Sequence, residues 1–139
     1  MRCAETDWRR ALQFLSRRAI DGVEEIRERV YRRATHDGVV EIAHDAGRLR
    51  VVPAVHEGRV RRLFDLDTDA DAIAARLAAD PWLAPLVEAH GPLRVLGGWD
   101  GFELAVRAVM GQQVSVAGAR TLNGRLVARC GVRDGERWR

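Results

Sequence analysis

Trp99 to Gly131 reads WDGFELAVRAVMGQQVSVAGARTLNGRLVARCG. The stretch has the pattern of two helices meeting at a short polar break. Asp100 has the type and place of an N-cap for the first, whose side-chain carboxylate would satisfy otherwise unpartnered first-turn amides. The apolar residues of that helix, Phe102, Ala105, Val106, Val109 and Met110, recur at three- and four-residue steps and define one face. Gly111 interrupts it. Ser115 is placed to cap a second helix, which presents Val116, Ala119, Leu122, Leu126 and Val127 before Gly131 stops it. The break itself is Gly111-Gln112-Gln113-Val114-Ser115, with Gly111 expected to allow a tight turn. A helix with one apolar stripe packs that stripe against something. Few partner helices accompany this pair, so the expectation is a helical domain of which only the first helices are present.

Working outward, His90-Gly91-Pro92 is a breaker followed by a loop, Leu93 to Trp99. Three helical segments precede it. Glu57 to Leu66 carries Val60, Leu63 and Phe64 on one face. Asp69 to Ala79 carries Ile73, Ala74 and Leu77, with Asp69 as N-cap. Pro81 is expected to open a third at its first position. Asp65, Asp67, Asp69 and Asp71 otherwise read as a solvated acidic turn. Earlier still, the period changes from helical to alternating. Val40 and Ile42 flank Glu41, Leu49 and Val51 flank Arg50, and Asp45-Ala46-Gly47 between them is a hairpin turn. With His36-Asp37-Gly38 as another turn, residues Val23 to Val55 are expected to hold three or four short antiparallel strands. Asp7 to Ile20 is an amphipathic helix with Trp8, Ala11, Leu12, Leu15 and Ala19 inward and Asp7 at its start, ended by Asp21-Gly22. The fold class is therefore α+β: a small antiparallel β-sheet with helices, followed by the first helices of an all-α domain. The expected division is 5–68 and 69–139.

The composition is globular, with 47% apolar and 31% charged residues over 139 positions. All 23 basic residues are Arg, at a net charge of +3. Arg suits phosphate, but the abundance of Ala, Gly and Val points to a GC-rich coding composition as the source of this bias. No apolar run reaches the length of a membrane span, and the first residues lack the apolar core of a signal peptide. Cys3 and Cys130 are far apart and fit no ligand spacing, and His36, His44, His56 and His90 show none either. The expectation is a cytoplasmic protein with free thiols and no metal.

Three blocks, in this order, resemble one family. They are FLSRRAIDGVE (Phe14 to Glu24), RRLFDLDTD (Arg61 to Asp69) and, within the opening stretch, Arg107-Ala108-Val109-Met110-Gly111-Gln112-Gln113-Val114-Ser115-Val116. Together they resemble the AlkA-type DNA-3-methyladenine glycosylase II family. The resemblance implies an N-terminal domain similar to one repeat of the TATA-binding-protein fold, then the start of a helix-hairpin-helix glycosylase domain. It also implies base-excision repair of double-stranded DNA carrying alkylated bases such as 3-methyladenine. The hydrolysis would be carried out by a monomer without metal or organic cofactor. Gln112, Gln113, Val114 and Ser115 would be a wedge entering the minor groove where a base has been flipped out, and Phe14 would line the base pocket. Gln113 stands where the family pattern has an apolar leucine. No catalytic residue is assigned within the chain, because the family's Gly-rich hairpin and catalytic Asp are expected beyond Arg139. The alternative is a non-catalytic DNA-binding remnant, or a segment of an alkylation-response regulator.

Overall fold

The computed structural model describes residues 1–135 and 137–138. Helix α1, Glu5–Ser16, buries Trp8, Ala11, Leu12 and Leu15. It begins two residues before the expected start. Ala4 is the N-cap, in extended conformation and without a side-chain bond, and Asp7 sits within the first turn. It also ends four residues before the expected Ile20, because the chain turns inward at Ala19 and Ile20, both buried. The carboxylate of Glu24 accepts the Ile20 amide at 3.1 Å, which holds the turn that leads into the sheet.

Four strands follow as an antiparallel meander in the order β1-β2-β3-β4. They are β1 Glu24–Arg27, β2 Val30–Thr35, β3 Gly38–Asp45 and β4 Arg48–Val52. Three two-residue turns set the register, pairing Arg27 with Val30, Thr35 with Gly38 and Asp45 with Arg48. The last carries positive φ at Ala46 and Gly47 (45° and 77°) and the first at Glu28 and Arg29 (52° and 63°). Such paired left-handed residues match the twist of a hairpin. Glu28-Arg29 lacks the Gly or Asn that announces one, so the first hairpin was the faint one in the sequence. The free edge of β4 is covered by the start of the chain: Leu49 donates to Met1 O at 2.6 Å and Cys3 to Gly47 O at 3.0 Å. Pairing of this kind shields the start of that edge from other chains.

One face of the sheet packs against α1. Tyr31, Val40 and Ile42 are fully buried there with Leu49 and Val51, beside Trp8. Phe64 completes the layer, its ring 5.4 Å from Trp8 and 6.4 Å from Tyr31 by centroid. Offset and edge-on arrangements of this kind add to the area that aromatics bury. Phe64 arrives on α2, Glu57–Leu63, which follows a 3₁₀ turn at Ala54–His56. This helix stops three residues before the expected Leu66, where Asp65 takes a left-handed φ of 52°.

The acidic run after it faces solvent as expected at Asp67, Asp69 and Asp71, while Asp65 is half-buried, and three of the four also make bonds within the protein. Asp65 accepts from the Val95 amide at 3.1 Å, Asp67 pairs with Arg61, and Asp69 caps α3, Ala70–Leu77, through the Ala72 amide at 3.0 Å. Pro81 does not open the next helix. The Asp80 carboxylate holds the amides of Trp82 and Leu83 in a turn at 2.8 and 3.3 Å. Helix α4, Ala84–His90, starts three residues later with Pro85 in its first turn. The following segment straps back onto the core. Arg94 reaches Asp7 at 3.2 Å and the Thr68 carbonyl at 3.0 Å. Gly97 donates to Leu63 O, and a Cβ at Gly97 would meet the Arg62 carbonyl at 2.9 Å. That approach is open only to glycine. Trp99 ends the strap buried in the same core.

The last helices are α5, Gly101–Met110, and α6, Val116–Cys130. A two-stranded ribbon, β5 Arg133–Asp134 and β6 Arg137–Trp138, lies beyond them. It touches the rest of the protein where the Trp138 amide donates to Gly22 O at 2.9 Å. The α+β class is as expected.

Candidate nucleic-acid interface

Both helix caps of the opening stretch form as expected. Asp100 accepts from the Glu103 amide at 2.8 Å, and Ser115 accepts from the Gly118 amide at 3.1 Å. Between the helices, Gln112, Gln113, Val114 and Ser115 are all exposed. The turn is tight, but not for the reason expected. Gly111 has an ordinary right-handed conformation, φ −87° and ψ −6°. Its lack of a side chain matters for space, since a Cβ there would meet the Arg107 carbonyl at 3.0 Å. The left-handed residue is Gln113, with φ 59°. An L-residue in that region costs roughly 1 kcal/mol, so local backbone preference does not favour this placement of Gln113.

The turn is positioned by α5, and α5 docks by charge. Its inward side is Glu103, Val106, Arg107 and Met110, while Phe102, Ala105 and Val109 of the expected apolar face are exposed. Arg107, one turn before Gly111, donates to Glu24 Oε2 at 2.5 Å, to Glu103 Oε1 at 2.9 Å and to the Arg18 carbonyl at 3.1 Å. Arg33 of β2 donates to the other Glu103 oxygen at 2.5 Å and lies 3.7 Å from Glu24 Oε1. Tyr31 closes the group by donating to Glu24 Oε1 at 2.6 Å. Two carboxylates and two guanidiniums thus balance in a cluster, buried at Glu24 and Arg33 and half-buried at Glu103 and Arg107, that joins the segment after α1, the sheet and α5. Burial alone pushes the Glu24 carboxyl up, but Arg107 and Arg33 outweigh it and hold it below the ordinary carboxylate value. Burial likewise works against the Arg107 charge, and Glu24 with Glu103 more than restores it. The same burial, with the Glu24 charge beside it, pushes the Tyr31 phenol well up. The Arg33 guanidinium also stacks over Trp99 at 4.6 Å, which fixes the start of α5.

Sequence alone does not decide whether Arg107 and Arg120 face a phosphate or solvent. Both are engaged within the protein, Arg107 as described and Arg120 with Asp21. Sequence reasoning missed Glu24, Arg33 and Glu103 altogether. Buried charges at 24 and 33 run against the alternation of a strand, which is the one signal that could have exposed them. Also unforeseen is a cleft of about 570 Å³ between the end of β2 and the last helices, lined among others by Arg33, Trp99, Phe102, Val106, Leu126 and Val127.

Phe14 lies on the last turn of α1, 43% exposed, at the rim of a cleft of about 310 Å³ formed with Asp7, Arg10, Phe64, Arg94 and Leu96. It does not line the smaller cleft beside the turn, about 200 Å³, which Arg18 shares with Arg107, Gly111, Val114, Val116 and Arg120. Arg18 links the two places: its guanidinium lies over the Phe14 ring and its carbonyl receives Arg107. Among the described residues no group of three or more His, Cys, Asp or Glu is placed to hold a metal ion. No helix among them is long and apolar enough to cross a membrane.

An exposed turn between two capped helices thus follows a small antiparallel sheet along the chain. The AlkA N-terminal domain family matches residues 4–100, more than half of the chain. The chain belongs to this family. AlkA relatives agree. A Mycobacterium tuberculosis protein described as a probable bifunctional transcriptional activator/DNA repair enzyme AlkA is 37% identical over 129 residues, which is 84% of this chain and 26% of that protein. The DNA-3-methyladenine glycosylase 2 of Escherichia coli is 33% identical over 141 residues, covering 91% of this chain and 48% of that one. The chain thus spans about a quarter to a half of the length of these AlkA proteins. Two solved structures share the fold. MBOgg1 in complex with a low-affinity DNA ligand superposes with a TM-score of 0.63 at 18% identity, over 87% of this chain and 48% of that one. The 8-oxoguanine glycosylase/lyase of Clostridium acetobutylicum, in complex with DNA, gives 0.63 at 17%, over 84% and 42%.

Proposed function

We propose that this AlkA-family chain is the DNA-engaging N-terminal portion of a base-flipping glycosylase that releases alkylated bases such as 3-methyladenine by hydrolysis of the N-glycosidic bond. The observation that carries the reading is the solvent-facing turn Gln112-Gln113-Val114-Ser115. Four exposed residues between two capped helices, with the turn's base tied through Arg107 to the sheet, have the placement a wedge requires. An unstacked base step costs a few kcal/mol to open, so a loose loop would spend that energy on its own ordering. Gln113 offers an amide that fills the gap and hydrogen-bonds base edges. The first amides of α6 then face a backbone phosphate, and Phe14 supplies an aromatic face for the flipped base. The unit 5–68 serves as the scaffold, and 69–139 brings the wedge. The catalytic carboxylate lies in the part of such enzymes that this chain does not span. The working partner is double-stranded DNA carrying the lesion, bound by a monomer in the cytoplasm.

Binding to duplex DNA with a stable abasic-site analogue, compared with the intact duplex, tests this. The abasic duplex has already lost the stacking that a wedge must break. Binding several-fold tighter to it supports the reading, and equal binding or none overturns it. The second reading, a DNA-binding segment of an alkylation-response regulator, is favoured by the description of the Mycobacterium tuberculosis relative as both activator and repair enzyme. It predicts duplex binding with a marked salt slope and no preference for the abasic site.

A further inference from the structure

One face of the Phe14 ring is already covered. The guanidinium carbon of Arg18, one helical turn on, lies 3.7 Å from the ring centroid. Nη1 of the same group donates to the Phe14 carbonyl at 3.3 Å. At that separation a planar cation stacks on the aromatic face as a base would, and the two cannot share it. The Arg18 backbone is fixed, its amide donating to Leu15 O at 2.9 Å and its carbonyl accepting from Arg107. Its charge is not. Arg33, Arg107 and Arg120 each pair with a carboxylate, whereas no carboxylate lies within ion-pair distance of Arg18 among the described residues. It also borders the cleft beside the 111–115 turn.

We propose that Arg18 is a gate and specificity-determining residue for the Phe14 face. With no ligand it caps the ring. A base that stacks there displaces it toward the cleft at Gly111 and Val114. The displaced guanidinium stays close by, so it disfavours a cationic base relative to a neutral one of the same shape. This rests on the reading of Phe14 as a base-stacking residue. An alkylated purine is often cationic, and the ring face alone would favour it. Arg18 opposes that preference and brings neutral lesions into competition.

The test is a titration of the full chain with adenosine (neutral) and 1-methyladenosine (cationic near neutral pH), read from the NMR shifts of the Phe14 ring protons. Arg18→Gln is expected to tighten adenosine binding about three-fold, the size of one exposed cation–π contact, and 1-methyladenosine binding by more. Arg18→Lys keeps the charge without the planar stack, so it is expected to tighten adenosine while leaving 1-methyladenosine behind. Thermal melts of both variants confirm that the fold is intact. Unchanged or weaker binding of both nucleosides in both variants overturns the gate. If Phe14→Leu abolishes binding in that case, Phe14 stands as a stacking residue without a gate. Binding unaffected by Phe14→Leu, or no binding by any of the proteins, overturns the gate together with the reading of Phe14.

Discussion

Gln113 and Ser115 do different work within three residues, and substitution separates them. Gln113 holds a left-handed φ that glycine adopts freely, so Gln113→Gly removes roughly 1 kcal/mol of strain. The added freedom of the unfolded chain offsets about 0.5–1 kcal/mol of that. The expected result is a urea midpoint nearly unchanged, together with weaker binding to abasic duplex because the amide that fills the gap is gone. Ser115→Ala behaves the other way. It removes the bond to the Gly118 amide and is expected to destabilise by about 1 kcal/mol, read from the same denaturation curve. Both caps and the position of the turn were legible in the sequence, because capping chemistry is local. The identity of the left-handed residue was not. Gly111 draws attention by type, and only the geometry of the whole turn moves the positive φ two residues on.

The element that decides where the turn points is α5, and its docking through Glu24, Arg33, Glu103 and Arg107 sets two expectations. Arg107→Met leaves the buried Glu24 and the half-buried Glu103 facing the single guanidinium of Arg33. Breaking a buried pair in this way costs about 3–5 kcal/mol. The double change Glu24→Gln with Arg107→Met restores charge balance, and it is expected to cost less than the sum of the two single changes by more than about 0.5 kcal/mol. The cluster also predicts a pH dependence. The folded Glu24 carboxyl titrates below its ordinary value of 4.5. Its contribution is therefore fully present above that pH and is lost as pH falls through the lower folded value. Glu24→Gln is expected to flatten this acid limb of the stability profile relative to the parent, and an unchanged limb would contradict the assignment. None of this was visible in the chain order. Periodicity selects apolar faces, and it assigned α5 the stripe of Phe102, Ala105, Val106, Val109 and Met110, of which the structure turns only Val106 and Met110 inward. A helix held by ion pairs across some 70 to 90 positions of sequence has no local signature.

Over the whole molecule, the sheet and its core follow closely from pattern. Trp8, Leu12 and Leu15 inward on α1, and Val40, Ile42, Leu49 and Val51 alternating on their strands, were readable because one buried face imposes one period. The helices after Leu63 were placed less well, since Asp65 and Asp80 redirect the chain through side-chain bonds to backbone amides. At this scale the two halves form one surface. The strap from Arg94 to Trp99 ties the loop before α5 to the N-terminal core, and the 111–115 turn stands clear of it. If that surface meets DNA through phosphates, the affinity falls steeply with salt, by about 0.9 log units per log unit of salt for each phosphate engaged.

The most direct measurement places 2-aminopurine in a duplex beside an abasic-site analogue and follows its fluorescence as the chain is added. A turn that inserts into the stack separates 2-aminopurine from its neighbour. The account therefore predicts a saturable rise in fluorescence for the parent chain, and a much smaller one for Gln113→Gly at equal DNA occupancy. Binding without any rise, or the same rise from both proteins, would contradict it.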